Sequence, residues 1–300
     1  MKQLKALIIA MRPYQWVKNI LVFAGLIFSI SAMDWYKLSL TFGAFLVFCA
    51  ISSSIYLLND LMDIEEDKKH PVKKKRPLPS GKLNVNLAKA SMVVLMILAF
   101  GFSYYINSFF TMIIFTYFIL NIGYSMGLKK IVILDVMIVS IGFLLRAVAG
   151  AIVIQVEVSH WLFLCSILLA LLITFGKRRH EIYLLNSTAG DHRHSLKEYS
   201  LPFLDVMMSI SGACAIIAFS LYTMSEETTT RFGTDWLLYT TPFVLFGVFR
   251  YFYLIQIKSK GGDPTKMLMT DIPSIINGIL WLGMIFAIIY GYDHFIDSIS

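Results

Sequence analysis

Ile51-Ser52-Ser53-Ser54-Ile55-Tyr56-Leu57-Leu58-Asn59-Asp60-Leu61-Met62-Asp63-Ile64-Glu65-Glu66-Asp67 is the stretch on which the fold turns. An apolar run that begins near Leu38 ends in it and passes without a break into acids. A helix leaving a hydrocarbon layer through Tyr56, Leu57 and Leu58 therefore delivers carboxylates to the rim of that layer. If the helix runs on by one or two turns, Asn59, Asp63 and Asp67 fall at i, i+4 and i+8, with Asp60 one position from the row. Acids crowded on one face repel each other unless a cation sits among them. Oxygen-only donors of this kind suit Mg²⁺ carried by a phosphate group.

The next residues supply the complementary charge. Lys73-Lys74-Lys75-Arg76-Pro77-Leu78-Pro79-Ser80-Gly81 offers cations that pair with phosphate oxygens. Pro71, Pro77 and Pro79 make the run a bent, non-helical loop able to fold back over the carboxylates. An acid-then-base run at a membrane edge is ordinarily a solvated loop touching lipid headgroups. Here the regular acid spacing, the Asn directly before Asp60 and the proline-punctuated loop occur together, which favours a site.

Outward from this stretch the chain is apolar. Hydrophobic residues make up 57% of the 300 and charged residues 15%, more apolar surface than a soluble domain can hide. The expectation is an all-α integral membrane protein forming one bundle over residues 1–300, with no second soluble domain. Nine stretches approach the roughly 20 residues that a spanning helix needs. They are Val17 to Met33, Leu38 to Leu58, Ala88 to Ile106, Phe109 to Met126, Ile131 to Ile154, Trp161 to Phe175, Phe203 to Met224, Trp236 to Ile257 and Ile272 to Tyr290. Of the 26 Lys and Arg, 22 fall on one side of that arrangement, and only Lys37 and Arg231 lie in loops of the other. The positive-inside rule makes that side, with the N-terminus, cytoplasmic, and nine spans then put Ser300 outside.

The net charge of +7 reads as a membrane-surface and phosphate signal; no aromatic-basic nucleic-acid module accompanies it. Cys49, Cys165 and Cys214 lie in apolar stretches and read as small hydrophobes, with no disulfide or zinc framework. Met1 to Met11 reads as an interfacial helix, with no cleavable signal peptide apparent.

Four further places carry polar groups that lipid would penalise. Before the first span, Gln15, Lys18 and Asn19 share a face if the segment is α-helical, while Tyr14 and Trp16 fit an interfacial aromatic belt. The fourth connection holds Tyr124, Lys129 and Lys130, and the fifth span carries Asp135, Gly142 and Arg146 on one stripe. Charges within a span face a cavity or each other. After the sixth span, Lys177, His180 and Glu181 meet on one face beside Arg178 and Arg179 if the helix continues. Arg250 reads as a snorkelling cation, and His192-Arg193-His194 as solvated loop.

These residues resemble the UbiA superfamily of intramembrane prenyltransferases. The likeness runs through nearly the whole chain: Arg12-Pro13-x-Gln15-Trp16-x-Lys18-Asn19, Asn59-Asp60-x-x-Asp63-x-x-x-Asp67, His70-Pro71-x-Lys73-x-x-Arg76-Pro77, Leu144-x-Arg146-Ala147, Gly176-Lys177-Arg178, Arg250-Tyr251 and Gly262-Asp263-Pro264. Members that use prenyl diphosphates carry a second Asp-rich motif after the sixth span. Here Lys177-Arg178-Arg179-His180-Glu181 stands in its place, which is closer to the branch that moves phosphoribosyl groups onto polyprenyl phosphates.

The resemblance implies a nine-helix UbiA-type bundle with an active-site cavity facing the cytoplasm. It also implies transfer of phosphoribosyl from 5-phosphoribosyl 1-diphosphate to a decaprenyl-type polyprenyl phosphate, in the supply of arabinan precursors. Asp60, Asp63 and Asp67 would be catalytic, with Mg²⁺ on Asn59, Asp63 and Asp67. Gln15, Lys18, Asn19, Lys73, Arg76, Tyr124, Lys129, Asp135, Arg146, Lys177, Arg178 and Glu181 would meet the substrates. The lipid phosphate is already an anionic nucleophile, so no catalytic histidine is expected. Two other readings stay open: prenyl transfer from a prenyl diphosphate to an aromatic acceptor, and a cation-coupled transporter with Asp135 and Arg146 on its pathway. The transporter finds no inverted repeat to support it.

Overall fold

A computed structural model describes residues 2–29, 31, 33–69, 73–185, 198–258, 267 and 270–297. His70-Pro71, His192-Arg193-His194, Gly262-Asp263-Pro264 and Ser300 lie outside the described residues. Among those described, all regular structure is helical. Eight helices are long and apolar enough to cross a membrane, so the chain is a multi-pass membrane protein. Two compact units form: residues 1–128 with 145–158, and residues 129–144 with 159–300.

The first unit opens with α1 (Lys2–Met11), a 3₁₀ segment (Pro13–Phe23) and α2 (Ala24–Ile27). It continues through α3 (Trp35–Met62), α4 (Ile64–Lys69), α5 (Val85–Ile106) and α6 (Ser108–Met126). The sequence sets the helix starts locally. Asp34, Asn84 and Asn107 each accept two N–H groups from the first turn of α3, α5 and α6, satisfying donors that a helix start leaves bare. On α3, Ala44, Val47, Phe48, Ile51 and Ile55 form a helical stripe that packs on Ala99, Phe110, Ile114 and Tyr117. Ser52 and Ser54, buried within that span, return their hydroxyls to the carbonyls of Phe48 and Ile51.

The first expected span differs from the long α-helix its apolarity suggests. Its residues are 3₁₀ from Pro13 to Phe23, with only four α-helical residues after them. A 3₁₀ helix repeats every three residues, and the inward row follows that period. Trp16 donates to Ser53 Oγ at 3.0 Å, Asn19 donates to Cys49 Sγ at 3.3 Å, and Val22 is fully buried. Gly25 comes next in the row, and a Cβ there would stand 2.8 Å from the Ala151 backbone nitrogen. A Cβ on Gly150 would overlap the Val22 carbonyl. The two glycines let this segment meet α7 (Leu134–Val153) backbone to backbone. Trp16 is therefore a packing residue held by a hydrogen bond, whereas exposed Tyr14 keeps the character of an interfacial belt.

The second unit contains the start of α7, then α8 (His160–Leu185), α9 (Leu201–Met224), α10 (Glu226–Phe232), α11 (Thr241–Gln256) and α12 (Ile272–Asp297). Its core joins Val136, Leu172, Phe175, Leu204, Met208, Val248 and Leu254. Gly176 on α8 leaves room for the ring of Tyr251, whose hydroxyl donates to the Ile173 carbonyl at 3.0 Å. Arg250 does not snorkel: it makes a two-pronged pair with Asp271, Nε to Oδ2 at 3.0 Å and Nη2 to Oδ1 at 2.8 Å. That guanidinium holds the Asp271 carboxyl well below the usual carboxylate range. The three cysteines are free thiols.

Candidate active site

The acid row survives a helix break. α3 ends at Met62 and Asp63 caps it, yet Asp63 N–H still donates to the Asn59 carbonyl at 3.0 Å, and Asp67 N–H to the Asp63 carbonyl at 2.8 Å. These i to i+4 bonds carry the register across the break, so Asn59, Asp63 and Asp67 stay on one row. Asp60 and Asp67 are buried, Asn59 and Asp63 half-buried, and Glu65 and Glu66 exposed.

The proline-punctuated loop folds back over the acids, as its composition suggests. Arg76 Nη1 bridges two carboxylates, at 3.2 Å from Asp60 Oδ1 and 2.7 Å from Asp67 Oδ2. Lys73 Nζ lies 3.5 Å from Asp67 Oδ1. A third cation comes from a residue that the site reading from sequence leaves out. Arg12 Nη2 donates to Asp60 Oδ1 at 2.6 Å, and its guanidinium lies 4.7 Å from the centre of the Tyr56 ring. Arg12 reaches there from a left-handed backbone, φ 56° and ψ 58°, between α1 and Pro13. The one signal in the sequence is an arginine placed directly before the proline at the mouth of an apolar run.

The loop is fixed from behind. Leu78 and Leu83 pack with Leu57, Ala88 and with Ala6 and Ala10 of α1 in a small apolar core, and Asn84 N–H donates to Gln3 Oε1. Arg12 and Arg76 therefore leave one rigid seat by its two edges.

The remaining residues of this unit part company. In a 3₁₀ helix Gln15 and Lys18 eclipse while Asn19 turns a third of the way round, so the three do not share the α-helical face expected of them. Asn19 is buried and accepts from Arg146 Nε at 2.7 Å. Arg146 also donates to the Tyr117 hydroxyl at 2.8 Å and lies 5.5 Å from the centre of the Phe48 ring. Asn19 and Arg146 thus hold each other inside the bundle. Tyr124 is half-buried. Its neighbour Ser125 donates to Asn59 Oδ1 at 2.7 Å.

The second unit gathers another charged cluster. α8 continues past its apolar stretch, so Lys177 Nζ lies 3.9 Å from Glu181 Oε1. Arg178 is buried: Nε donates to Asp135 Oδ2 at 2.9 Å and Nη1 to Glu181 Oε2 at 2.5 Å. Tyr199 donates to Asp135 Oδ1 at 2.8 Å and accepts from the Ile133 N–H at 2.6 Å. Ile133 has φ 68°, unusual for a β-branched residue, and the Tyr199 bond holds it there, three residues beyond the turn of half-buried Lys129 and exposed Lys130. Burial first, and then the Asp135 carboxylate, push the Tyr199 phenol well above its usual range. Asp135 and Arg178, expected to meet substrate, form a buried ion pair with each other, and Asp135 and Arg146 both have protein partners.

The donor set fits a hard divalent cation. Asn59 and Asp63 offer only oxygen and are half-buried. Among the described residues no group of three or more His, Cys, Asp or Glu side chains forms a metal cage. Mg²⁺ needs none, since it is commonly held by one or two carboxylates with substrate phosphates and water.

A helical membrane bundle with an Asn-Asp acid row at one span's end and a basic loop folded over it defines a class. The model of the UbiA prenyltransferase family matches residues 19–272, and the chain belongs to that family. It is 30% identical to the decaprenyl-phosphate phosphoribosyltransferase of Mycolicibacterium smegmatis, over 95% of this chain and 92% of that protein. To the enzyme of the same name from Corynebacterium glutamicum it is 31% identical, over 94% and 86% of the two chains. Among solved structures, a UbiA homologue from Archaeoglobus fulgidus bound to GPP and Mg²⁺ superposes with a TM-score of 0.71 over 95% of this chain and 99% of that one. At 18% identity that likeness speaks to the fold.

Proposed function

We propose that this chain transfers the 5-phosphoribosyl group from 5-phosphoribosyl 1-diphosphate to a polyprenyl phosphate, releasing diphosphate. The observation that carries the reading is nearly full-length similarity, at 30% and 31% identity, to two enzymes named for that transfer. The cationic segment from Lys177 to Arg179, in place of a second acidic motif, agrees with a site for two anionic substrates.

The chemical task is to break the anomeric C1–O bond through an oxocarbenium-like state. The lipid phosphate attacks C1 as an anion, so no side chain has to remove a proton. The chain's residues must hold the diphosphate while its charge grows and keep the lipid head close to C1. Lys73 and Arg76 serve the diphosphate; Lys18, Gln15, Lys129 and Lys177 serve the 5-phosphate or the lipid phosphate. Asn59 and Asp63 would hold Mg²⁺, which supplies neutralising charge to the leaving group. Asp67, assigned to the same metal from sequence, already meets Arg76 and Lys73.

We read residues 1–300 as one UbiA-type domain, because a single family match runs through both compact units. The first apolar stretch serves as a ninth span. From Val17 to Ile27 its seven 3₁₀ residues and 4 α-helical residues reach roughly 20 Å at about 2.0 and 1.5 Å per residue, about two thirds of a hydrocarbon core of about 30 Å. The loop carrying Lys73 and Arg76 is cytoplasmic on the lysine and arginine bias, and a polyprenyl tail lies along apolar surfaces of the bundle. Labelling of a cysteine placed at Lys74 by an impermeant reagent from outside would contradict that sidedness.

The deciding experiment is mass spectrometry of lipids after incubation with 5-phosphoribosyl 1-diphosphate, Mg²⁺ and a panel of polyprenyl phosphates. A phosphoribosyl lipid is expected. A prenylated aromatic product from a prenyl diphosphate and 4-hydroxybenzoate, with no phosphoribosyl lipid, would replace this reading by aromatic prenyl transfer.

A further inference from the structure

Burial separates the two signs of charge in the first unit's cluster. The side chains of Asp60 and Asp67 are 2% and 1% exposed, while those of Arg12, Arg76 and Lys73 are 22%, 32% and 39% exposed. Three cations face two carboxylates, and Lys74 and Lys75 follow on the exposed side. A guanidinium carries five N–H donors. Among the described residues Arg12 donates only through Nη2, and Arg76 only through Nη1. Among those residues both leave most of their fork without an acceptor. Both are also held in place before any ligand arrives: Arg12 by its seat against Tyr56 and its position at the end of α1, and Arg76 by the Leu78 and Leu83 anchor. Cations fixed in advance stabilise an anion better than cations that must first be ordered.

We propose that Arg12, Arg76 and Lys73 form a preformed rim for a diphosphate, with Asp60 and Asp67 as the positioning residues that hold it from the buried side. Arg12 is then a substrate-binding residue of the reaction, and Asp60 acts through it. The ligand class follows from the chemistry of the rim. Two guanidinium forks joined through one acid pair suit adjacent tetrahedral anions, each fork taking two oxygens. The inference rests on the phosphoribosyl reading only in naming which substrate brings the diphosphate.

The test uses the full-length protein in detergent with EDTA and follows binding of inorganic diphosphate by calorimetry, for wild type, Arg12→Lys, Arg12→Gln, Asp60→Asn and the Arg12→Gln/Asp60→Asn pair. The double variant leaves no unpaired charge of this couple, so it stays testable if Arg12→Gln alone folds poorly. Expected is a loss of about ten- to a hundredfold in affinity for Arg12→Gln, a smaller loss for Arg12→Lys and for Asp60→Asn, and no recovery in the double variant. In the lipid assay, KM for 5-phosphoribosyl 1-diphosphate should rise while KM for the polyprenyl phosphate stays unchanged.

Wild-type diphosphate affinity in the double variant would make Arg12 a mere counter-ion of Asp60 and overturn the proposal, as would a KM change confined to the polyprenyl phosphate. Arg12-dependent diphosphate binding without any phosphoribosyl lipid product would keep the rim and remove the proposed reaction.

Discussion

In the first unit two aspartates are buried and the cations that hold them reach toward solvent; in the second, Arg178 and Asp135 are both buried, Arg178 meeting Asp135 and Glu181 while Asp135 also accepts from Tyr199. Both clusters use the same side chains. The aspartates are buried in both; the clusters differ in whether the cation is withdrawn from water with them. A withdrawn charge in a complete pair is a fixture, because breaking it would leave a bare ion in a poor solvent. The charge left at the edge is the one free to meet something new. By that criterion the half-exposed Lys177 is the residue of the second cluster whose removal tests for a ligand, and buried Arg178 is the one that ties α8 to Asp135.

The largest effect expected from this contrast is on stability. Arg178→Ala leaves Asp135 buried without its cation, a loss of about 3–5 kcal/mol. The thermal midpoint in detergent should fall by roughly ten degrees, and a joint Asp135→Leu/Arg178→Leu change should recover much of it. An unchanged midpoint for Arg178→Ala would erase the distinction between the clusters.

Asp63→Ala should act on chemistry with the fold intact. As a half-buried acid with no ion pair among the described residues, it is free to meet a metal. Turnover should drop at least about a hundredfold, and Mg²⁺-dependent thermal protection by 5-phosphoribosyl 1-diphosphate should vanish. Near-normal product formation at saturating Mg²⁺ would take Asp63 out of the site.

Lys177→Ala sharpens the comparison within one helix turn. Loss of a charge-assisted contact worth about 1.5–3 kcal/mol should raise KM for one anionic substrate roughly ten- to a hundredfold. The thermal midpoint should stay where it is and added Mg²⁺ should not restore binding. A Lys177 variant that behaves like the Arg178 variant would mean that α8 is held by both.

Tyr199→Phe is the smallest change, removing one hydroxyl between Asp135 and the Ile133 N–H. About 1–3 kcal/mol of stability should go, since Asp135 loses a buried hydrogen bond and the Ile133 N–H a half-buried one. The raised phenol keeps its proton throughout the neutral range and remains a donor to Asp135, so the wild-type midpoint should not vary between pH 6 and 9 on account of Tyr199. A midpoint falling steeply across that range in wild type but not in Tyr199→Phe would contradict this.

The amino-acid sequence makes legible what is local in the chain. The acid row depends on spacing of four, and the loop's return on three prolines within nine residues, so neighbouring letters carry both. Arg12 escapes a sequence reading as a site residue because its partner stands 48 positions away and its left-handed backbone leaves no periodic mark. The pairing of Asp135 with Arg178 spans 43 positions. The sequence says that each charge needs a partner in an apolar setting, without saying which. The 3₁₀ period of the first span is hidden for another reason. An apolar run looks alike at three and at 3.6 residues per turn, and the choice is made by Gly25 and Gly150 meeting backbones far apart in the chain.

Synthesis from the N-terminus turns those separations into waiting times. Every ion pair of the first cluster lies between residues 12 and 76, and the apolar seat beneath it is complete at Ala88. Asp60 is therefore followed by Arg76 after 16 residues, about one to three seconds at roughly 5–20 residues per second, with Arg12 already made. Asp135 waits 43 residues for Arg178, about two to nine seconds at the same pace. Biogenesis thus leaves the second cluster's acid without its partner for longer, at the stage when its helix is entering the bilayer, and makes Asp135 the residue of the two clusters whose insertion depends most on what surrounds the emerging chain.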